Sequence, residues 1–212
     1  MILVIDTSSI MAAIALIDTG NGRGGGSLSS SPGQGLVAKK GGWSQAFMPS
    51  RDPELMAQLR HTVRLNTITK VAVATGPGSF TGLRKGVSFG LGLAIGLRIP
   101  IVPLPTLVLQ AARSDQPVTA VSEAGRGRFY YLVPGQEPSL GGPADIPAGH
   151  DLVGRVLASS EASLQQAGHR FKPESELRHF AEAAAELLKT AREVPYGSLK
   201  LEYMQTFAAP AK

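Results

Sequence analysis

The chain has 212 residues, 43% of them apolar, and a formal net charge of +5. This apolar content predicts a packed core in one large domain or two small lobes. Because the chain contains no cysteine, disulfides and cysteine-based zinc or redox sites are excluded. The most apolar segment, residues 87–104, is too short and too interrupted to span a bilayer, and no secretory leader is recognisable. We therefore expect a cytoplasmic protein with no membrane contact.

The chain begins with two predicted strands, residues 2–6 and 12–17, joined by a polar turn that holds Asp6, Thr7 and Ser8. A carboxylate can hold hydrated Mg²⁺ while hydroxyls contact phosphate oxygens, so these three are candidate nucleotide-binding residues. The alternative is a polar turn in which Asp6 and Ser8 hydrogen-bond to their own backbone. No glycine follows the acid, which disfavours close approach of a phosphate.

Residues 20–42 contain nine glycines and are predicted to form a flexible loop, with a returning strand near residues 35–39. A helix is predicted over residues 50–65, because Leu55, Leu59 and Val63 are spaced four residues apart.

The most informative stretch follows a buried strand over residues 71–75 and runs from Gly76 to Gly90. Gly76 and Gly78 permit positive φ and close approach of another group. A helix is predicted over residues 81–97. Because Gly76 and Gly78 lie just before its N-terminus, where backbone amides can bind an anion, they are further candidates for holding a phosphate. The stretch lacks the Gly-Lys-Ser/Thr ending of a Walker loop, so a tight turn before a closely packed helix is the alternative.

Three glycines in this helix recur every four residues and lie on one face. Each costs about 1 kcal/mol relative to alanine in a helix interior, which predicts a compensating contact with another backbone. We expect this face to be a partner interface, so that Gly86→Leu would fold normally but lose its partner. The alternative is packing on the chain's own sheet. The predicted interface residues are Gly82, Gly86, Val87, Gly90, Leu91 and Ala94.

Beyond the helix the pattern is less regular. It predicts, in chain order, a strand over residues 99–102, a short helix over 106–112, strands over 118–121 and 128–133, an irregular connection over 134–149, a strand or short helix over 152–158, and an amphipathic helix over 177–191.

Two other patterns carry candidate chemistry. Residues 125–131 alternate cations with aromatics and could bind phosphate and stack a base, although inward packing of the aromatics on a strand is favoured. No Gly-x-Ser-x-Gly motif is present, and no histidine is assignable to Ser79, so serine hydrolysis is disfavoured. The four histidines, expected at the surface, are His61, His150, His169 and His179.

The nine residues from Gly76 to Arg84 resemble the signature of the TsaB (YeaZ) family, and residues 2–18 and 99–107 are similar to that family as well. These proteins are non-catalytic relatives of TsaD enzymes within a group formerly called glycoproteases. The resemblance implies an α/β fold of the actin-like ATPase (ribonuclease-H-like) kind, with two lobes whose mixed central sheets are flanked by helices. Residues 1–112 would form the N-terminal lobe and 113–212 a smaller, divergent C-terminal lobe.

The resemblance also implies a function. The chain would be a non-catalytic subunit that binds and activates TsaD in the complex that forms threonylcarbamoyladenosine in tRNAs reading codons that begin with adenine. It would form a heterodimer with TsaD, a nucleotide-dependent ternary complex with the ATPase TsaE, and a homodimer in isolation, and it would contact tRNA only indirectly. No catalytic residue, metal site or tightly bound cofactor is expected, and Mg²⁺–ATP would be bound through partner proteins.

Two alternatives remain open from the residues. One is an active nucleotide-dependent phosphotransferase that uses Asp6 and the glycine turn. The other is a metal-dependent peptidase, as the older family label would have it. TsaD-type enzymes carry two metal-binding histidines four residues apart on a helix, and no two histidines of this chain have that spacing, which disfavours the peptidase.

Overall fold

The computed structural model describes residues 1–18, 37–40, 42–50, 52, 57 and 67–204. Six strands within the first 105 residues form a mixed sheet: β1 (Ile2–Asp6), β2 (Met11–Ile17), β3 (Val37–Lys40), β4 (Trp43–Pro49), β5 (Lys70–Gly76) and β6 (Ile101–Pro105). Their order in the sheet is β3-β4-β2-β1-β5-β6. β1 is antiparallel to β2 and parallel to β5, and β5 is parallel to β6.

Both faces of this sheet are covered, which explains why its central strands are apolar throughout instead of alternating. Leu3 and Ile5 face a core shared with helix α1 (Phe80–Leu97), whereas Ile2 and Val4 face a second core on the opposite side. The hydroxyl of Ser79 accepts a hydrogen bond from the Gly82 amide at 3.3 Å and so begins α1.

A second, four-stranded sheet follows the short helix α2 (Thr106–Ala111). Its order is β10-β7-β8-β9, with β10 parallel to β7 and the other pairs antiparallel. Helix α3 (Ala158–Gln166) packs on it through Leu164. The strands are β7 (Thr119–Gly125), β8 (Arg128–Leu132), β9 (Ser139–Gly141) and β10 (Leu152–Val153).

The chain then returns to the first sheet. Helix α4 (Phe180–Leu188) buries Phe180, Ala181 and Ala184 against the face opposite α1. The tail continues this return, because the Glu202 amide donates to the Thr75 carbonyl at 2.8 Å.

The predicted fold class, α/β with two mixed sheets flanked by helices, is confirmed. The strands near the N-terminus, α1 and α4 are confirmed with small shifts at their ends. The strand predicted over 99–102 begins instead at Ile101 and runs through Pro103 and Pro105, which an edge strand tolerates. A strand was predicted near 35–39 and lies at Val37–Lys40. Helix α3 was not predicted, because its sequence is only weakly amphipathic.

Other predictions are not reached by the structure. The loop at 20–42, apart from residues 37–40 and Gly42, and the helix at 50–65, apart from Ser50, Asp52 and Ala57, lie outside the described residues. The division into lobes at residue 112 stays a prediction, although the packing of residues 180–202 on the first sheet differs from it. Within the described part of the chain, no helix is both long and apolar enough to cross a membrane.

Candidate functional site

The turn between β1 and β2 holds the predicted nucleotide-binding residues, and all of them are buried. Oδ1 of Asp6 accepts hydrogen bonds from the Ser8 amide at 2.9 Å and from the Ser8 hydroxyl at 2.5 Å. The Thr7 hydroxyl donates to the Gly82 carbonyl at 2.6 Å. The structure therefore shows the alternative predicted for this turn. The Asp6 carboxyl and the hydroxyls of Thr7 and Ser8 all form hydrogen bonds within the chain.

The Asp6 carboxyl is 1% exposed. Burial raises its pKa, because desolvation penalises the charged form, and outweighs the opposing effects of the Ser8 hydrogen bonds and the positive charge of Arg155. A carboxyl in this environment is poorly suited to hold a hydrated cation, which needs an accessible and ionised ligand.

The glycine turn packs directly on this first turn. The Ser79 amide donates to the Ser8 carbonyl at 2.7 Å, and a Cβ on Gly78 would lie only 2.6 Å from the same oxygen. Gly76 has φ +113°, and its missing side chain leaves room for the Glu202 carbonyl. The fold thus brings Asp6, Thr7, Ser8, Gly76 and Gly78 together as a close contact between the backbones of two turns.

The glycine stripe on α1 faces the chain's own sheet. A Cβ on Gly82 or Gly86 would clash with Thr7, and one on Gly90 would clash with Val73. The expectation that these glycines form a partner interface is wrong, since the fold has already filled the space beside them. Val87 and Ala94 are buried in the same core and Leu91 is half-buried against it.

The opposite face of α1 also carries small residues, and they are exposed. Ser88, Gly92 and Gly96 are again spaced four residues apart, and no described atom lies within 4 Å of a Cβ built on either glycine. Beside them Ile95 is 50% exposed. The spacing was visible in the sequence, but it could not show which of the two stripes faces outward.

Comparison with known proteins identifies the family. Residues 51–200 match the model of TsaD, the tRNA N6-adenosine threonylcarbamoyltransferase family. This chain belongs to the TsaD family. The resemblance to TsaB is confirmed by curated relatives within it. TsaB of Haemophilus influenzae is 26% identical over 107 residues, which are 48% of this chain and 45% of that protein. TsaB of Escherichia coli is 43% identical over 72 residues, which are 32% of this chain and 31% of that protein. The chain thus spans less than half the length of these curated relatives.

Solved structures are similar over nearly the whole chain. YeaZ from Pseudomonas aeruginosa superposes with a TM-score of 0.64 at 17% identity, covering 96% of this chain and 99% of that one. A second solved structure is that of an uncharacterised protein with similarity to peptidase YeaZ from Pseudomonas aeruginosa. It superposes with a TM-score of 0.65 at 19% identity. At this identity the likeness establishes the fold, which is of the actin-like kind expected for the TsaD family.

The histidines of this TsaD-family chain do not form a metal centre in the part that the structure describes. Among those residues no three histidine, cysteine or acidic side chains are placed to hold a metal ion. The expectation that every histidine lies at the surface is wrong for His169, which is buried and bonded to the Pro143 carbonyl at 2.9 Å. His179 is exposed and stacks on Trp43, with ring centroids 4.9 Å apart. His61 lies outside the described residues.

The segment of alternating cations and aromatics forms the hairpin between β7 and β8. Phe129 and Tyr130 are buried in two separate apolar clusters beside the second sheet, and the Tyr131 hydroxyl donates to the Asp145 carbonyl at 3.2 Å. Their inward packing, favoured from the sequence, is confirmed, so Phe129 and Tyr130 are not available to stack a base.

Proposed function

We propose that this chain is a non-catalytic subunit in the biosynthesis of threonylcarbamoyladenosine in tRNA, and that it acts by binding a TsaD enzyme. The observation that carries the proposal is the contact between Ser8 and Ser79. Their backbones are bonded at 2.7 Å, so the turn predicted to bind nucleotide packs on the glycine turn. Membership of the TsaD family and the TsaB names of its curated relatives support the same proposal.

The partner surface we propose is the outer face of α1, defined by Ser88, Gly92, Ile95 and Gly96. Its three small residues would let the backbone of a second helix approach closely, and Ile95 supplies apolar area that contact would bury. In the absence of TsaD the same face would pair with a second copy of this chain, because close approach of two such helices would bury the exposed Ile95 side chain of each. As the resemblance to the TsaB family implies, we further propose that TsaE joins the pair in a nucleotide-dependent manner and that tRNA is contacted only indirectly.

The test is size-exclusion chromatography with light scattering, on the chain alone and mixed with TsaD from the same organism. We expect a one-to-one species in the mixture. Ile95→Lys should abolish it, because a charge would be buried at the contact. Leu157→Lys is the matched control, since Leu157 is equally large and 46% exposed but lies in the other lobe. Association that survives Ile95→Lys would exclude this face, and independent elution of the two wild-type proteins would overturn the proposed function.

A second measurement tests the role itself. With threonylcarbamoyl-adenylate as the donor, formation of threonylcarbamoyladenosine by TsaD and TsaE on a cognate tRNA should require this chain in stoichiometric amounts. Ile95→Lys should lower that yield while Leu157→Lys does not. Full modification in the absence of the chain would contradict an activating role.

A further inference from the structure

A cavity of about 450 Å³ is lined by residues of the first sheet and of the second half of the chain, and neither Gly76, Gly78 nor the outer face of α1 contributes to its lining. β4 contributes Gln45 and Phe47, and the second half of the chain contributes most of the charge. The charged residues that line it are Arg113, Arg155, Glu174 and Arg178.

Two of these arginines are held rigidly. The side chain of Arg113 is only 3% exposed; its Nε donates to the Arg178 carbonyl at 3.2 Å and its Nη2 contacts Glu174. The guanidinium of Arg155 stacks on the ring of Phe47, 3.7 Å from the centroid, and its Nη2 donates to Oε1 of Glu174 at 2.9 Å. One carboxylate oxygen therefore accepts hydrogen bonds from both guanidinium groups.

This arrangement is short of negative charge. Glu174 is the only acidic residue among the described residues that line the cavity. Arg178 pairs with Asp115, outside the cavity. The buried Asp6 carboxyl also attracts Arg155, but burial and the charge of Arg113 together lower the pKa of the Arg155 guanidinium. Two confined cations thus share one surface carboxylate and repel each other.

We propose that this cavity binds a phosphate group, which replaces the Glu174 carboxylate between Arg113 and Arg155. A phosphate offers several acceptor oxygens and up to two negative charges, and two planar guanidiniums are well suited to bind it with paired hydrogen bonds. Glu174 can leave, because its side chain is 63% exposed and lies on a single 3-10 turn, Glu174–Glu176. The wall formed by Phe47 and Met11 leaves apolar room beside the phosphate for the rest of a larger ligand.

The alternative explanation is that the ion pairs of Glu174 with Arg113 and Arg155 serve only to stabilise the fold. Glu174→Gln distinguishes the two explanations, because it removes the competing charge but keeps the side-chain shape. If phosphate competes with Glu174, the variant binds inorganic phosphate more tightly than wild type does. If Glu174 is only structural, the affinity for inorganic phosphate is unchanged.

The experiment is a titration with inorganic phosphate at constant ionic strength, followed by calorimetry and by the fluorescence of Trp43. Trp43 is the only tryptophan, and it stacks on His179 at the cavity rim. We expect wild type to bind, Glu174→Gln to lower Kd roughly tenfold, the equivalent of one charge-assisted hydrogen bond, and Arg155→Gln to abolish binding. Arg170→Gln is the control, since it removes the same charge from a surface pair with Asp151.

Arg155→Lys guards against a folding artefact, because it keeps the charge and the aliphatic stem. We expect at least roughly tenfold weaker binding, since an ammonium cannot stack or offer a planar fork. Equal affinities for Arg155→Gln and Arg170→Gln, or no binding by either wild type or Glu174→Gln, would overturn the proposal. Tighter binding of glycerol 3-phosphate than of inorganic phosphate would identify the phosphate group of a larger ligand; the reverse would identify the free anion.

Discussion

The Thr7 hydroxyl donates a 2.6 Å hydrogen bond to the carbonyl of Gly82, across the gap that a side chain at Gly86 would otherwise fill. The first turn of the sheet is thereby joined to the first turns of α1. A hydroxyl that could have contacted a ligand instead stabilises the packing of a helix. This contact explains Gly82 and Gly86 without any partner.

Gly86→Leu should therefore destabilise the fold. The new side chain would overlap Thr7, and overpacking of this kind costs about 1–3 kcal/mol or more. Urea denaturation of the purified variant measures the loss. Gly92→Ala is the control, because Gly92 lies in the same helix with open space around it and should gain about 0.5–1 kcal/mol. Equal effects at the two positions would mean that the inner stripe is not packed as described.

Thr7→Val should lower the free energy of unfolding by about 1 kcal/mol, because it removes the hydrogen bond to Gly82 while preserving the volume. Thr7→Ser keeps the donor and should lose only the contribution of the methyl group. The pair is compared by urea denaturation under the same conditions. A Thr7→Val variant as stable as wild type would show that the bond contributes nothing to stability.

The buried carboxyl of Asp6 should make stability depend on pH. Its pKa is raised above the ordinary value of 3.8 by burial, so the native state retains a proton that the unfolded chain has released. The associated stability is fully present below about pH 3.8 and is lost as the pH rises through the folded-state pKa. The stability of Asp6→Asn relative to wild type should accordingly rise with pH from about 4 upward.

Asp151→Asn provides the opposite dependence. The hydrogen bond from Arg170 lowers the pKa of the Asp151 carboxyl, so its contribution is present above the ordinary pKa and is lost as the pH falls. The deficit of Asp151→Asn relative to wild type should shrink toward acid pH, which thermal denaturation across a pH series would show. Parallel behaviour of Asp6→Asn and Asp151→Asn would contradict the raised pKa of Asp6.

The closed turn predicts that Mg²⁺–ATP will not be bound through Asp6. We expect no Mg²⁺-dependent rise in Tm for the isolated chain, because a ligand that binds only the native state stabilises it by RT ln(1 + [L]/Kd) and so raises Tm. Any rise in Tm that ATP produces without Mg²⁺ should persist in the Asp6→Asn variant and disappear in the Arg155→Gln variant. A Mg²⁺-dependent rise that Asp6→Asn abolishes would instead restore the phosphotransferase alternative.

Much of the fold could be predicted because it depends on local pattern. Backbone preferences and the spacing of apolar residues are properties of neighbouring residues, and they can be read from the sequence. They predict the apolar runs of β1 and β5, the glycine turn and the helix after it. The motif from Gly76 to Arg84 was sufficient to indicate the family. Helix α3 was missed because its polar sequence has no such period and is held by one buried residue, Leu164.

The sites depended on information that no local pattern contains. α1 has two stripes of small residues, one through Gly86 and one through Gly92, and their spacing is the same. Thr7 decides between them, because its turn lies against the first stripe and leaves the second exposed.

The sequence by itself determined most of the elements, the fold class and the family, since each rests on short-range preferences or on a contiguous motif; α3 and β9 are exceptions. Only the tertiary structure decided which face of α1 is free, that the turn at Asp6 is closed, and that Arg113 and Arg155 meet at Glu174. The physical reason is that burial and charge pairing depend on which distant segments come into contact, and that contact is made by the packing of whole elements.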